Sequence, residues 1–251
     1  MPEPSSADTP PAAPAPIDKE DNWGYDLYPE RRGETPTPKW WQVAMFGDGR
    51  TNIDKTKCER NVYDCFQNSP LVQLMYRALK ASGCEIDLRR HIACEVCDLK
   101  VSGGYDSHQN QIVVCQNVAR SKGMIQGILT HEMIHMFDAC RHKLDFKNVD
   151  HLACTEIRAA NLTHCSFMSA MAQGDASFFR IKEQHAECVK NKAKWSVMAV
   201  RPNMSDAEAL EAVERVFDRC YNDLEPIGRR IRRNSADMHR AYAERVNYGY
   251  E

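Results

Sequence analysis

The segment His131-Glu132-Met133-Ile134-His135 constrains this chain more than any other. Residues four apart share a face only on a helix, so both imidazoles can meet one zinc ion only if the segment is helical. Glu132 lies beside them, within reach of a water on that ion. Zinc lowers the pKa of its water to about 7, and the glutamate takes the proton as the water attacks a peptide carbonyl. His131 and His135 are therefore candidate metal ligands, and Glu132 is the candidate catalytic base. The flanking pattern predicts a helix over residues 121–140, with Ile125, Ile128, Leu129, Ile134 and Phe137 among its apolar positions. The short apolar strand Ile112-Val113-Val114-Cys115 precedes it. In zinc peptidases such a strand can lie at the cleft rim and pair with an extended substrate.

Zinc needs a third protein ligand. A histidine six residues after His135 would serve, but Arg141 stands there, and Asp138 replaces the glycine that such a motif carries at the third position. His142 is one residue out of place. The next predicted helix, over residues 150–162, offers Glu156 and His151, 21 and 16 residues after His135. These two are about 140° apart around a helix, so they do not ligate together. Glu156 is the favoured third ligand and His151 the alternative, with Asp145 and Asp150 behind them. Asp138, one turn after His135, is a candidate to support a ligand from outside.

The rest of the chain reads as α+β. Ser69-Pro70 opens a helix, and Gly83 ends it. Apolar alternation predicts strand character between Glu85 and Val101, followed by a turn at Ser102-Gly103-Gly104-Tyr105-Asp106. Gly174 interrupts the helical pattern, and a helix is expected over about 176–200. Ser205-Asp206-Ala207-Glu208 is a capping box that starts another. The expected organisation is a disordered Pro-rich head at 1–39, a metallopeptidase domain at 40–228 and a basic tail at 229–251. The domain would hold a short antiparallel sheet and a mostly helical C-terminal part. Nine of twelve prolines fall in the head, where Trp23, Tyr25 and Tyr28 are the residues able to dock on the domain or a partner. The head is acidic with no arginine before Arg31, so it reads as neither secretory signal nor transit peptide. The run Arg229-Arg230-Ile231-Arg232-Arg233 is either a solvated stretch or a contact for anionic headgroups.

A formal net charge of −2 and the lack of a strongly basic domain argue against nucleic acid as a partner. No apolar run approaches the ~18 residues that cross a bilayer. Eleven cysteines, spread from Cys58 to Cys220, resemble a disulfide framework more than a metal cluster. An odd number leaves at least one unpaired within the chain. Bridges such as Cys140 to Cys154, or from either to Cys115, would hold the third ligand to the active-site helix.

Five segments carry a resemblance: Gly103-Gly104-Tyr105-Asp106, Gln111–Cys115, His131–Asp138, His151–Asn161 and Cys220–Pro226. They are similar to the mitochondrial inner membrane zinc metalloproteases that process an ATP synthase subunit, over about Cys58 to Gly228. That resemblance implies a zincin-like fold and a zinc-dependent endopeptidase of the intermembrane space, attached peripherally to the inner membrane. It implies removal of the N-terminal prosequence of ATP synthase subunit a, and help in assembling the proton-conducting sector. It also implies import by an oxidative relay, which would account for the cysteines. Animal relatives are described as partners of the Ku DNA-repair protein, so a nuclear zinc protease or Ku-binding adaptor is the alternative, together with a purely non-proteolytic assembly chaperone.

Overall fold

A computed structural model describes residues 25–34, 51–165, 181–231 and 236–251. Two 3-10 turns, Tyr25–Leu27 and Pro29–Arg32, precede the helices α1 (Thr51–Asn68) and α2 (Pro70–Ala81). The Ser69 side chain caps α2 by accepting from Val72 N, and Pro70 fills the first helical position. The alternating stretch after Gly83 is mostly not a strand. Asp87 caps a single helical turn, Leu88–His91, and only β1 (Ile92–Glu95) is extended.

The predicted turn at Gly103 is also corrected. Gly103–Asp106 is a strand, β2, and the reversal lies just beyond it, where Asp106 Oδ1 accepts from His108 N and Gln109 N and Asn110 adopts a positive φ of 50°. The glycines are there for close approach. A Cβ on Gly103 would stand 2.4 Å from Ile128 Cγ2, and one on Gly104 would stand 2.2 Å from the Tyr28 hydroxyl.

With β3 (Gln111–Cys115) the sheet has the order β1-β3-β2. It is mixed, not antiparallel as expected: β3 runs antiparallel to β2 but parallel to β1. The chain leaves β1, passes to the far edge to form β2, and returns to insert β3 between them. The central position explains why Ile112, Val113, Val114 and Cys115 are all buried.

Helix α3 (Lys122–Arg141) follows, capped by Ser121, and α4 (Val149–Ala159) by Asn148. The last turn of α4 widens into a π-helical turn, Ala160–His164. Helix α5 (Ile181–Val200) covers the described part of the helix expected from 176; Gly174 lies outside the described residues. Helix α6 (Asp206–Asn222) starts with both halves of the Ser205–Glu208 capping box formed. A short α7 (Ala236–Glu244) follows, and a 3-10 turn, Arg245–Tyr248, comes after it.

Two apolar cores result. One joins α1, α2, α3 and the sheet, with Leu74, Met75, Leu129 and Phe137 among its buried residues. The other joins α4, α5 and α6 through Ile157, Val189, Val197 and Val213. Helices α3 and α4 meet at the seam between them. Residue 228 is not a structural boundary, because Ile231, Met238, Ala241 and Tyr250 enter the first core. Within the arginine run, Arg230 donates to Asn161 Oδ1 and Tyr221 O and stacks 4.1 Å over the Tyr221 ring, while Arg229 pairs with Glu244. Arg232 and Arg233 lie outside the described residues.

Five disulfides staple the elements: Cys58–Cys94, Cys84–Cys140, Cys97–Cys115, Cys154–Cys220 and Cys165–Cys188. Cys65 is free and buried, and burial pushes its thiol pKa up to about 11. None of the bridges pictured from sequence forms. Cys140 reaches back to the loop after α2, and Cys154 faces α6, on the side of α4 away from α3.

Candidate metal centre

His131 and His135 are one turn apart on α3, facing α4. Glu156 faces them from α4. His131 Nε2 and His135 Nε2 are 3.3 Å apart, and the Glu156 carboxylate oxygens stand 3.7 and 3.6 Å from them. Ligand atoms held at ~2.0–2.2 Å from a tetrahedral zinc are ~3.3–3.6 Å from one another. The three side chains are thus already spaced for one metal ion.

The surroundings fix each ligand. Thr155 Oγ1 donates to Asp138 Oδ2 at 2.7 Å and lies 2.9 Å from His135 Nδ1. A hydroxyl has one hydrogen, so Thr155 accepts from His135, whose proton is on Nδ1 and whose Nε2 lone pair points into the site. Asp138 in turn accepts from Arg158 Nε at 3.1 and 3.0 Å, and Arg158 Nη2 donates to Glu225 O at 2.6 Å. His131 is held in the same way, less tightly: Thr163 Oγ1 donates to Ala159 O and lies 3.4 Å from His131 Nδ1. The π-helical turn brings Thr163 there, and His164 stacks edge-on against His131.

The electrostatics favour a cation. Burial lowers the pKa of His135 to about 4, so it is a neutral donor. Burial also opposes charge on His131, but Glu156 and Glu132 outweigh it and its pKa is raised. The Glu156 carboxyl is held below its usual range, against its burial, by His135 and His131. One of its oxygens, Oε2, is buried without a hydrogen-bond partner. Such an orphan costs free energy unless something else meets it, and a metal ion would. The donor set fits zinc. Burial pushes the Glu132 pKa up to about 7, with His131 opposing and Glu156 adding, as suits a general base.

A cleft of about 450 Å³ opens onto these four residues. One wall is β2 with Tyr28; Phe146, Leu152, Trp195 and Val200 line the other. The rim strand expected from sequence is corrected here. β3 is paired on both sides, so among the described residues β2 supplies the free edge beside the site.

A family model described as the Peptidase M76 family matches residues 56–228. The chain belongs to the Peptidase M76 family. It is therefore a metal-dependent peptidase, acting on protein. It is 38% identical over 240 residues to a protein of Danio rerio, covering 94% of this chain and 90% of that one. It is 40% identical to a protein of Xenopus laevis, covering 91% and 94%, and 40% identical to one of Homo sapiens, covering 81% and 79%. All three relatives are named mitochondrial inner membrane protease ATP23 homolog. No solved structure matches the chain. Among the described residues no helix is long and apolar enough to cross a membrane.

Within this M76 peptidase the sequence-derived candidates separate clearly. His131, Glu132, His135 and Glu156 converge on the cleft floor, with Asp138 behind them. His151 does not join them; it is exposed on the first turn of α4, where its Nδ1 accepts from Asp145 N. Asp145 also accepts from Lys147 N, and Asp150 pairs with Arg215. Sequence reasoning missed Thr155, Thr163 and Arg158, and offered Tyr28 only as an aromatic able to dock on the domain or a partner. Arg158 had left a signal, a lone charge inside the apolar run Ile157-Arg158-Ala159-Ala160.

Proposed function

We propose that this chain is a zinc endopeptidase of zincin type, in which His131, His135 and Glu156 hold the metal and Glu132 is the catalytic base. The convergence of the two imidazole Nε2 atoms and the Glu156 carboxylate, with one ligand atom from each within 4.8 Å of the others and a carboxylate oxygen that accepts no hydrogen bond, carries the reading. Bound zinc supplies Lewis-acid polarisation of a carbonyl and of water. The protein's own residues do the rest. An extended polypeptide lies in the cleft against β2, with side chains in the apolar pocket of Phe146, Leu152 and Trp195. Glu132 accepts a proton from the attacking water and passes it to the leaving amine. Thr155, Asp138 and Arg158 keep His135 in its donor tautomer.

The five segments that carry the resemblance support a substrate, and relatives named mitochondrial inner membrane protease support its location. The proposed substrate is the N-terminal prosequence of ATP synthase subunit a, cleaved in the intermembrane space by an enzyme lying on the inner membrane surface. A second, non-proteolytic role in assembling the membrane sector is proposed with it. Five disulfides support an oxidising compartment and weigh against the nuclear alternative. Glu132→Gln tests both roles. It should lower cleavage of the subunit a precursor by on the order of 10²–10⁴-fold, with bound zinc unchanged and assembly preserved in cells. Wild-type cleavage by this variant would defeat the mechanism; loss of assembly alongside cleavage would defeat the second role.

A further inference from the structure

Tyr28 lies outside the family-matched residues, yet its side chain lines the cleft. Its ring lies against Gly104, where a Cβ would stand 2.2 Å from the hydroxyl, and the hydroxyl donates to Gly103 O at 2.8 Å. The position of that carbonyl matters. Ser102 O accepts from Cys115 N, so it faces β3. Alternation along an antiparallel strand then turns Gly103 O away from β3, to the free edge of the sheet. Tyr28 thus caps the acceptor that an incoming strand would use. Gly103 itself rests on Ile128 of α3, and Glu132 is one turn further along the same face. The Tyr28 side chain packs on the opposite face of β2, at Gly104, but it lines the same cleft as Glu132, whose carboxylate charge reaches the phenol. Arg31 anchors the segment from the other side, buried against Glu95 at 2.9 Å and Asp106 at 2.6 Å.

We infer that Tyr28 is a catalytic hydrogen-bond donor to the scissile carbonyl, released from Gly103 when substrate pairs with β2. The inference rests on the peptidase mechanism proposed above. An extended substrate adding to β2 offers its own N–H to Gly103 O, which frees the phenol. The phenol then turns to the carbonyl oxygen of the bond being cut. As water oxygen bonds to the carbonyl carbon, negative charge grows on that oxygen, and a donor already in place stabilises it. Glu132 takes the water's proton and gives it to the amide nitrogen as the C–N bond breaks. Tyr28 keeps its own proton throughout. Burial, with the Glu132 carboxylate adding, raises its pKa, so the phenol stays a donor.

Tyr28→Phe removes the hydroxyl and keeps the ring. The probes are a fluorogenic peptide chosen from a library for cleavage by the wild-type enzyme, and a phosphinic analogue of that peptide. The variant should lose on the order of 10²-fold in kcat with KM within about twofold and zinc content unchanged. Affinity for the phosphinic analogue should fall by a similar factor, while affinity of the uncleaved peptide for Glu132→Gln protein is the same with or without the Tyr28 change. Normal kcat, or a loss confined to KM, would overturn the assignment. If Tyr28→Phe does not fold, Gly104→Ala carries the same test, since its methyl must push the hydroxyl aside. A wild-type protein that cuts nothing, or a Glu132→Gln protein that cuts normally, would instead defeat the underlying mechanism.

Discussion

At the residue scale the centre depends on where single protons sit. Thr155 can satisfy Asp138 and His135 together only as donor to the first and acceptor from the second. Thr155→Val keeps the shape and removes both bonds. Support of this kind is typically worth about 10–100-fold in metal affinity. Competition with a chelator should show a zinc affinity lower by that factor, and an unchanged affinity would mean that His135 needs no tautomer control. His131, Glu132 and His135 were legible in sequence because their relation is local: a spacing of four on a helix fixes a shared face. Glu156 was legible only as one of two candidates, since the approach of α4 decides which of its faces meets α3. Thr155 carried no sequence signal and Tyr28 only that of an aromatic in a Pro-rich head, because both owe their place to contacts across the fold.

At the scale of elements, caps were the reliable signs. Ser69, Ser121 and Ser205 each begin the helix expected of them, because a cap bonds within its own first turn. Strands were misread where the cause lay elsewhere in the chain. Paired glycines usually mean a turn, but Gly103 and Gly104 clear room for Ile128 and Tyr28. The segment 25–34, read as part of a solvated head, is tied to the sheet through Arg31, which meets Glu95, Asp106 and Gln111. Arg31→Ala would take the guanidinium away from the largely shielded carboxylates of Glu95 and Asp106. Breaking such a pair from one side costs about 3–5 kcal/mol. Thermal unfolding should show a loss of that size, and a change under about 1 kcal/mol would mean that the segment is only loosely applied. Cys154–Cys220 holds α4 to α6, and so fixes the helix that carries Glu156. Replacing both cysteines with serine should cost about 2–5 kcal/mol and make zinc easier to extract.

For the molecule as a whole, the cysteine total was informative and the pairing was not. An odd number demanded an unpaired thiol, but partners are set by which helices meet. Thiol trapping of native protein should label almost nothing, since Cys65 is buried with a raised pKa. After unfolding without reductant one thiol per chain should react; after reduction, all eleven. Many reactive thiols in the native protein would contradict the oxidised framework and the compartment inferred from it. The proposed metal would be held between the two cores by α3 and α4 together. Zinc per chain, by elemental analysis of the wild type beside Glu156→Ala and His151→Ala, tests this most directly. One zinc in the wild type and in His151→Ala, with most of it lost from Glu156→Ala, is the predicted result. Zinc retained in Glu156→Ala and lost from His151→Ala would contradict it.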